Sequence, residues 1–392
     1  MDPRWLALTV LTISRVSLGF QFQSLASVAP LIRQDMGVSY ADIGVLIGLY
    51  MSPGIVVALP GGMIGGRLGD KRMVCVGLIL MVAGAALMGV AESYSMLVIG
   101  RLVSGIGGVL LNVLMSKMIT DWFADREIVL AMAIFMNSFP IGMGLALLGL
   151  GPLAESHGAA AAMHTTAAVA LASLLLVLRV YRRHPNDGIT GAADRAWMRM
   201  PWRELVLVCI AGAIWGLFNG AHSIVAGFAP ILLTHMGLNA AAAGFFVGVS
   251  TWLVVLSGQV GGIIAHRWAH ERALLGGSVL VWGLCLLLLP AGSPEPLLIA
   301  AGLAQGLPVG IILTLPAMAL RPESRALGMG IFFTWLYVGQ AGLPALSGWL
   351  QDVYVSPATS LYFAAALVLL ILPLLVLFWV LQSRSFVPIR AN

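Results

Sequence analysis

The chain has 392 residues, of which 60% are hydrophobic and only 9% charged, with a formal net charge of +5. A soluble domain carries roughly a quarter charged residues, so this composition excludes a water-covered globule. The basic residues sit in short clusters between apolar runs, a membrane-topology signal rather than a nucleic-acid surface.

In lipid, backbone polar groups must be satisfied internally, which leaves helices or closed barrels. Barrel strands alternate apolar and polar residues over about ten positions. Runs such as Leu274 to Pro290 and Leu361 to Leu381 are unbroken, so the expected fold class is an all-α membrane protein. A span needs about 20 such residues, and twelve spans are predicted, at 5–32, 40–64, 73–92, 95–119, 128–152, 159–181, 204–233, 241–265, 273–291, 296–320, 327–350 and 358–382. The opening Met1-Asp2-Pro3-Arg4-Trp5 runs into the first span without a small-residue cleavage site, so that run is read as a span, not a removed signal.

The links are short except for a polar stretch with several arginines, at 182–203. It is read as a cytoplasmic linker between a six-helix bundle at 1–181 and a second at 204–392. Lys and Arg set the orientation. Arg67, Lys71, Arg72, Arg126, Arg267 and Arg272 fall on one side with most of the other basic residues, whereas Arg33 stands alone on the other. Both termini are therefore expected in the cytoplasm, and the chain in the inner (plasma) membrane. Cys75, Cys209 and Cys285 are scattered within apolar runs, which fits packing rather than a disulfide or metal site.

The two predicted bundles repeat each other. At an offset of 200, Ala29-Pro30 meets Ala229-Pro230, Met36-Gly37 meets Met236-Gly237, Gly44 and Gly48 meet Gly244 and Gly248, and Arg67 and Arg72 meet Arg267 and Arg272. At an offset of 197, Phe135, Gly142 and Gly151 meet Phe332, Gly339 and Gly348. Six spans per repeat make the repeats parallel, and sites in such carriers lie near the midplane between them.

The residues stranded deep in apolar spans are the candidate site. Arg15 lies about 15 Å into the first span at 1.5 Å per residue, on one face with Thr12, Gly19 and Gln23. Its repeat face in span seven carries Trp215, Asn219 and Ser223. Arg101 shares a face of span four with Gly105, Gly108 and Asn112. Two uses of Arg101 stay open, contact with a substrate or hydrogen bonds to carbonyls of a neighbouring helix. Gln21, Asn137, His222, Gln259, Gln305, Tyr337 and Gln340 are further polar candidates, with Tyr50, Trp252 and Trp335 as walls. Packing accounts for many such polar residues. None of the sixteen acidic residues is placed deep in a span. An unpaired buried arginine is costly, so a small organic anion is the expected substrate, moved by secondary transport with exchange or proton coupling both open, His222 being one proton site. A multidrug or metabolite efflux antiporter of the same fold is the alternative, with a membrane enzyme or receptor far behind. No nucleophile–base pair, metal cluster or nucleotide-binding loop suggests an enzyme, and no cofactor is expected.

The motifs add a resemblance. Gly66-Arg67-Leu68-Gly69-Asp70-Lys71-Arg72 resembles the Gly-x-Leu-Gly-Asp-Arg loop of the major facilitator superfamily, and Arg101 to Gly108 is similar to its Arg-x-x-x-Gly-x-Gly segment. Pro140-Ile141-Gly142-Met143-Gly144 partly resembles the antiporter motif of that family, and Gly216 to Gly220 loosely resembles its cyanate and nitroimidazole transporter branch. The resemblance implies a monomeric carrier working by alternating access. It also implies that Asp70 latches the bundles against the start of span eleven near Ala326, with Arg67, Arg72, Arg126 and Arg267 in the same gate. His270 stands where a second Asp70 would be.

Overall fold

The computed structural model describes residues 2–56, 69–123, 127–184, 200–268, 271–321 and 324–383, side chains at 129, 265–268, 325 and 326 excepted. Helices are α1 (Pro3–Met36), α2 (Tyr40–Leu49), α3 (Asp70–Gly89), α4 (Tyr94–Trp122), α5 (Ile128–Val180), α6 (Trp202–His235), α7 (Ala240–Trp268), α8 (Glu271–Leu288), α9 (Pro294–Gly306), α10 (Val309–Ala319), α11 (Arg325–Tyr354) and α12 (Thr359–Ser383). Among the described residues, ten helical stretches are long and apolar enough to cross a membrane, α9 and α10 together forming one of them.

Local chemistry sets the boundaries. Asp2 caps α1 by accepting from the Arg4 N–H, Pro3 fills the first turn where no donor is needed, and Gly37 ends the helix at φ 64°. The 53 residues of α5 would run about 80 Å if straight. Gly158, at φ 84° and ψ 162°, breaks the helix and folds it back. Both ends of α5 consequently lie where α1, α3 and the end of α4 meet: Arg4 pairs with Glu127 at 3.1 Å, Lys71 donates to the Tyr181 carbonyl at 2.7 Å, and Trp122 Nε1 donates to the Tyr181 hydroxyl at 2.9 Å. This break falls between the fifth and sixth predicted spans.

The second predicted span differs from its expected continuous run. Helix α2 stops at Leu49 and gives way to a turn over 50–53. Pro53 has no N–H to offer the Leu49 carbonyl, and Ser52 Oγ takes that acceptor at 3.0 Å. A kink at Leu307 and Pro308 likewise divides the tenth predicted span into α9 and α10.

Helix packing relies on small residues, as expected where lipid supplies no hydrophobic drive between helices. A Cβ on Gly19 would lie 2.0 Å from the Phe139 carbonyl oxygen, and one on Gly142 would lie 2.1 Å from that of Val16. Helix α6 meets α11 the same way, Gly339 against the Gly216 carbonyl at 2.2 Å. The repeated glycines Gly44 and Gly48 of α2 press on the Pro344 and Ala341 carbonyls of α11, and Gly244 of α7 presses on the Leu147 carbonyl of α5.

Candidate functional site

Arg15 is 7% exposed and lies where α1, α4, α5 and α11 converge. Its Nη1 donates to the carbonyls of Phe135 and Met136, both at 2.9 Å, and its Nε donates to Asn112 Oδ1 at 3.2 Å. The guanidinium also sits over the rings of Phe135 and Phe139, 4.7 and 5.7 Å from their centroids. The Met136 carbonyl is the acceptor that Pro140, four residues on, leaves without its helical donor. Arg15 therefore plugs a proline-made gap in α5. Its Nη2 has no partner among the described residues, and no carboxylate pairs with it there.

Asn112 and Tyr337 complete this group. The Tyr337 side chain lies beside those of Asn112 and Arg15. Its ring lies against Gly54, where a Cβ would meet it at 2.2 Å. The three predicted residues Arg15, Asn112 and Tyr337 are thus brought together from α1, α4 and α11.

Arg101 forms a second centre and is fully enclosed. Its Nε, Nη1 and Nη2 donate to the carbonyls of Leu46, Gln21 and Phe22 at 2.9, 2.9 and 2.6 Å, and the guanidinium covers the Tyr50 ring at 4.6 Å. Of the two uses left open by the sequence, these bonds are the carbonyl one. Gln21 extends the centre, donating to the Met81 carbonyl and accepting from the Tyr50 hydroxyl.

Gln23 donates to the Ala226 carbonyl of α6 at 2.8 Å. Pro230 follows Ala226 by four, so this acceptor too is freed by a proline. Gly19 serves the close approach of α1 to α5. On α6, Trp215 stacks between Phe218 and Phe332, Asn219 bonds back to the Trp215 carbonyl, and His222 Nδ1 meets Gln305 Nε2 at 2.8 Å. Gln340 is buried on α11. A shallow, open, largely apolar groove runs along Ile331, Thr334, Trp335 and Val338, and none of the predicted polar residues lines it.

Asp70 and Arg72 are the members of the expected gate whose side chains are described. Asp70 is the first residue of α3, 2% exposed, and pairs with Lys117 of α4 at 2.5 Å; Lys117 also meets Asp121 at 3.2 Å. Arg72 is exposed. Arg67, Arg126 and His270 lie outside the described residues, as do the side chains of Arg267 and Ala326. Sequence reasoning missed Lys117, because its pairing with Asp70 bridges two helices with no periodic signature. It also missed Asp352 and Glu155 at the other end of the bundle. The Tyr40 and Ala41 N–H groups donate to Asp352 at 2.9 and 2.7 Å, and the Ala240 N–H donates to Glu155 at 3.2 Å.

The contacts joining α1–α5 to α6–α12 run from Asp352 and Glu155 down to Gly54–Tyr337, Gly144–Trp252 and Gln23–Ala226. At the end carrying the termini, the described ion pairs stay within one set: Arg4–Glu127, Lys117–Asp70 and Arg321–Glu204. The structure is closed at the end of Tyr40 and Ala240.

The family model described as Major Facilitator Superfamily matches residues 11–341 and 223–389. The chain is 25% identical over 344 residues to an uncharacterized transporter, YycB, of Bacillus subtilis, covering 84% of this chain and 83% of that one. A shorter match, 28% identical over 78 residues and 20% of each chain, is to the quinolone resistance protein NorA of Staphylococcus aureus. Among solved structures, a bacterial homologue of the human lysosomal transporter Spinster, inward-facing and occupied, superposes with a TM-score of 0.75 at 17% identity over 98% of both chains.

Proposed function

Because the chain belongs to the major facilitator superfamily and is a membrane transporter rather than an enzyme, we propose that it carries a small organic anion by alternating access. Arg15 is the residue that engages this anion. The observation carrying the reading is the free Nη2 end of a buried guanidinium that faces carbonyls, an amide and aromatic rings, with no carboxylate partner among the described residues. Carbonyl dipoles and ring faces stabilise a cation without cancelling its charge. A carboxylate at Nη2 would add charge-assisted hydrogen bonds of fixed geometry. Asn112 and Tyr337 supply the neighbouring donors and acceptors, and Tyr337 ties substrate occupancy to α11. Gly19, Gln23, Trp215, Asn219, His222 and Gln340 form the surrounding walls in this reading. Arg101 braces the scaffold.

The same proposal takes 1–181 and 204–392 as two bundles of six spans joined by 182–203. The break at Gly158 and the short α2 bring the crossings to twelve. Both termini face the cytoplasm of a cell whose inner membrane holds the protein as a monomer, with protons or a counter-substrate supplying the drive. Asp70, Arg67, Arg72, Arg126 and Arg267 act at the cytoplasmic gate in the opposite conformation, so the Asp70–Lys117 pair is the resting state of that latch.

Purified protein is titrated with small carboxylates, hydrophobic cations and neutral compounds while its thermal unfolding is followed. A ligand at 100 times its dissociation constant stabilises by about 2.7 kcal/mol. Stabilisation by carboxylates that Arg15→Gln abolishes supports the reading. An unchanged response in Arg15→Gln overturns it. The second reading is drug export, favoured by the NorA match. Stabilisation by hydrophobic cations alone selects it.

A further inference from the structure

The two carboxylates at the closed end occupy equivalent places in the repeat. Glu155 and Asp352 are related by the offset of 197, and the helix starts they cap, Ala240 and Tyr40, by the offset of 200. Each therefore reaches from the fifth span of one repeat to the second span of the other. A helix start leaves its first N–H groups without partners and carries partial positive charge. On α2 the first two of these donors, Tyr40 and Ala41, bond Asp352, while Ser39 Oγ takes the third, from Asp42. On α7 the Asn239 side chain accepts from Ala242, and Glu155 accepts from Ala240.

From this symmetry we infer that Asp352 and Glu155 are paired latches that hold the outer gate shut, Asp352 the stronger. The inference rests on the alternating-access reading above. Each latch joins elements that must separate when this end opens. A carboxylate leaving a helix start strands N–H groups in the process, so the bonds favour the closed state alone. Asp352 makes two bonds and is half-buried, whereas Glu155 makes one and is exposed. Beneath them the packing is glycine against carbonyl, Gly348 on the Tyr40 oxygen and Gly44 on that of Pro344. Those contacts are short-ranged and vanish with the first small separation. The carboxylates supply the longer-ranged attraction.

The test uses the full chain with Cys75, Cys209 and Cys285 replaced by serine. Ile47→Cys, a buried position on α2 packed against Gly227, is the probe, alkylated by a membrane-impermeant maleimide. The reagent is added from whichever side labels a control Ser293→Cys. The labelling rate then follows the open population even when that population is minor. Asp352→Ala should raise the rate about fivefold, Glu155→Ala about twofold, and the double variant roughly tenfold if the two act independently. Asp352→Asn, which keeps an acceptor without the charge, should fall between. Equal rates in the parent and the double variant, both folded by circular dichroism, would overturn the latch. The readout is labelling, so a failed anion reading leaves this response intact, and a failed latch leaves the ligand titration untouched.

Discussion

If Arg15 plugs the carbonyl that Pro140 leaves open, then the two residues must be energetically coupled. The perturbation is a cycle of four proteins: the parent, Arg15→Met, Pro140→Ala and the double variant. In the parent, Nη1 lies 2.9 Å from the Met136 oxygen. A hydrogen bond from a charged group contributes about 1.5–3 kcal/mol, and a buried carbonyl left bare costs about 1–3 kcal/mol. Pro140→Ala restores an N–H at position 140 that can close the helical bond to Met136. The Phe135 oxygen is untouched by that change, so only one of the two Nη1 bonds is affected. Losing Arg15 should therefore cost about 1–2 kcal/mol less in the Pro140→Ala background than in the parent. Single-variant stabilities are poor guides here, because removing Arg15 also removes the penalty of burying a guanidinium. That penalty cancels in the cycle. Unfolding in mixed micelles titrated with sodium dodecyl sulfate gives the four free energies. Additivity within about 0.5 kcal/mol would refute the plug.

The same logic predicts that Gln23→Leu is destabilising by about 1 kcal/mol in the parent and nearly neutral beside Pro230→Ala, read by the same titration. Arg101→Met should lower stability by about 3–5 kcal/mol, and Arg101→Lys should not rescue it, since one ammonium cannot reproduce a fork that meets three carbonyls. Thermal unfolding in detergent checks both. Gly48→Leu should fold yet fail to close its outer end, because a Cβ there already meets the Ala341 oxygen at 2.0 Å; rapid labelling at a neighbouring cysteine with lost transport is the expected result. Asp70→Asn should cost no more than about 1–2 kcal/mol in the thermal unfolding of this state, since Lys117 keeps Asp121.

The helical membrane fold was legible because hydropathy and the satisfaction of backbone groups leave few alternatives. Repeated glycines were legible too, and four of them, Gly44, Gly48, Gly244 and Gly348, mark close approaches between α1–α5 and α6–α12. Arg15 and Asn112 could be placed on inward faces by helical periodicity alone. Their partners could not, since Phe135 and Met136 contribute backbone oxygens that any residue type would provide. A signal was available nonetheless: a proline inside a span names the carbonyl four residues earlier as an acceptor seeking a donor. Pro140 and Pro230 point in this way to Met136 and Ala226. Lys117 escaped for a different reason, because a basic residue at a span end reads as topology and its link to Asp70 depends on how α3 meets α4.

The closed end is assembled largely from parts that carry no side-chain identity: glycines, carbonyl oxygens and the first amides of two helices. The cluster around Arg15 is made of side chains whose chemistry is particular. Selection acting on cargo can therefore rewrite Arg15 and Asn112 without touching the carboxylates and glycines of the door, and a relative with an intact door need not share the cargo. The glycine pattern identifies the machine, and the interior arginine is where one machine of this kind departs from the next.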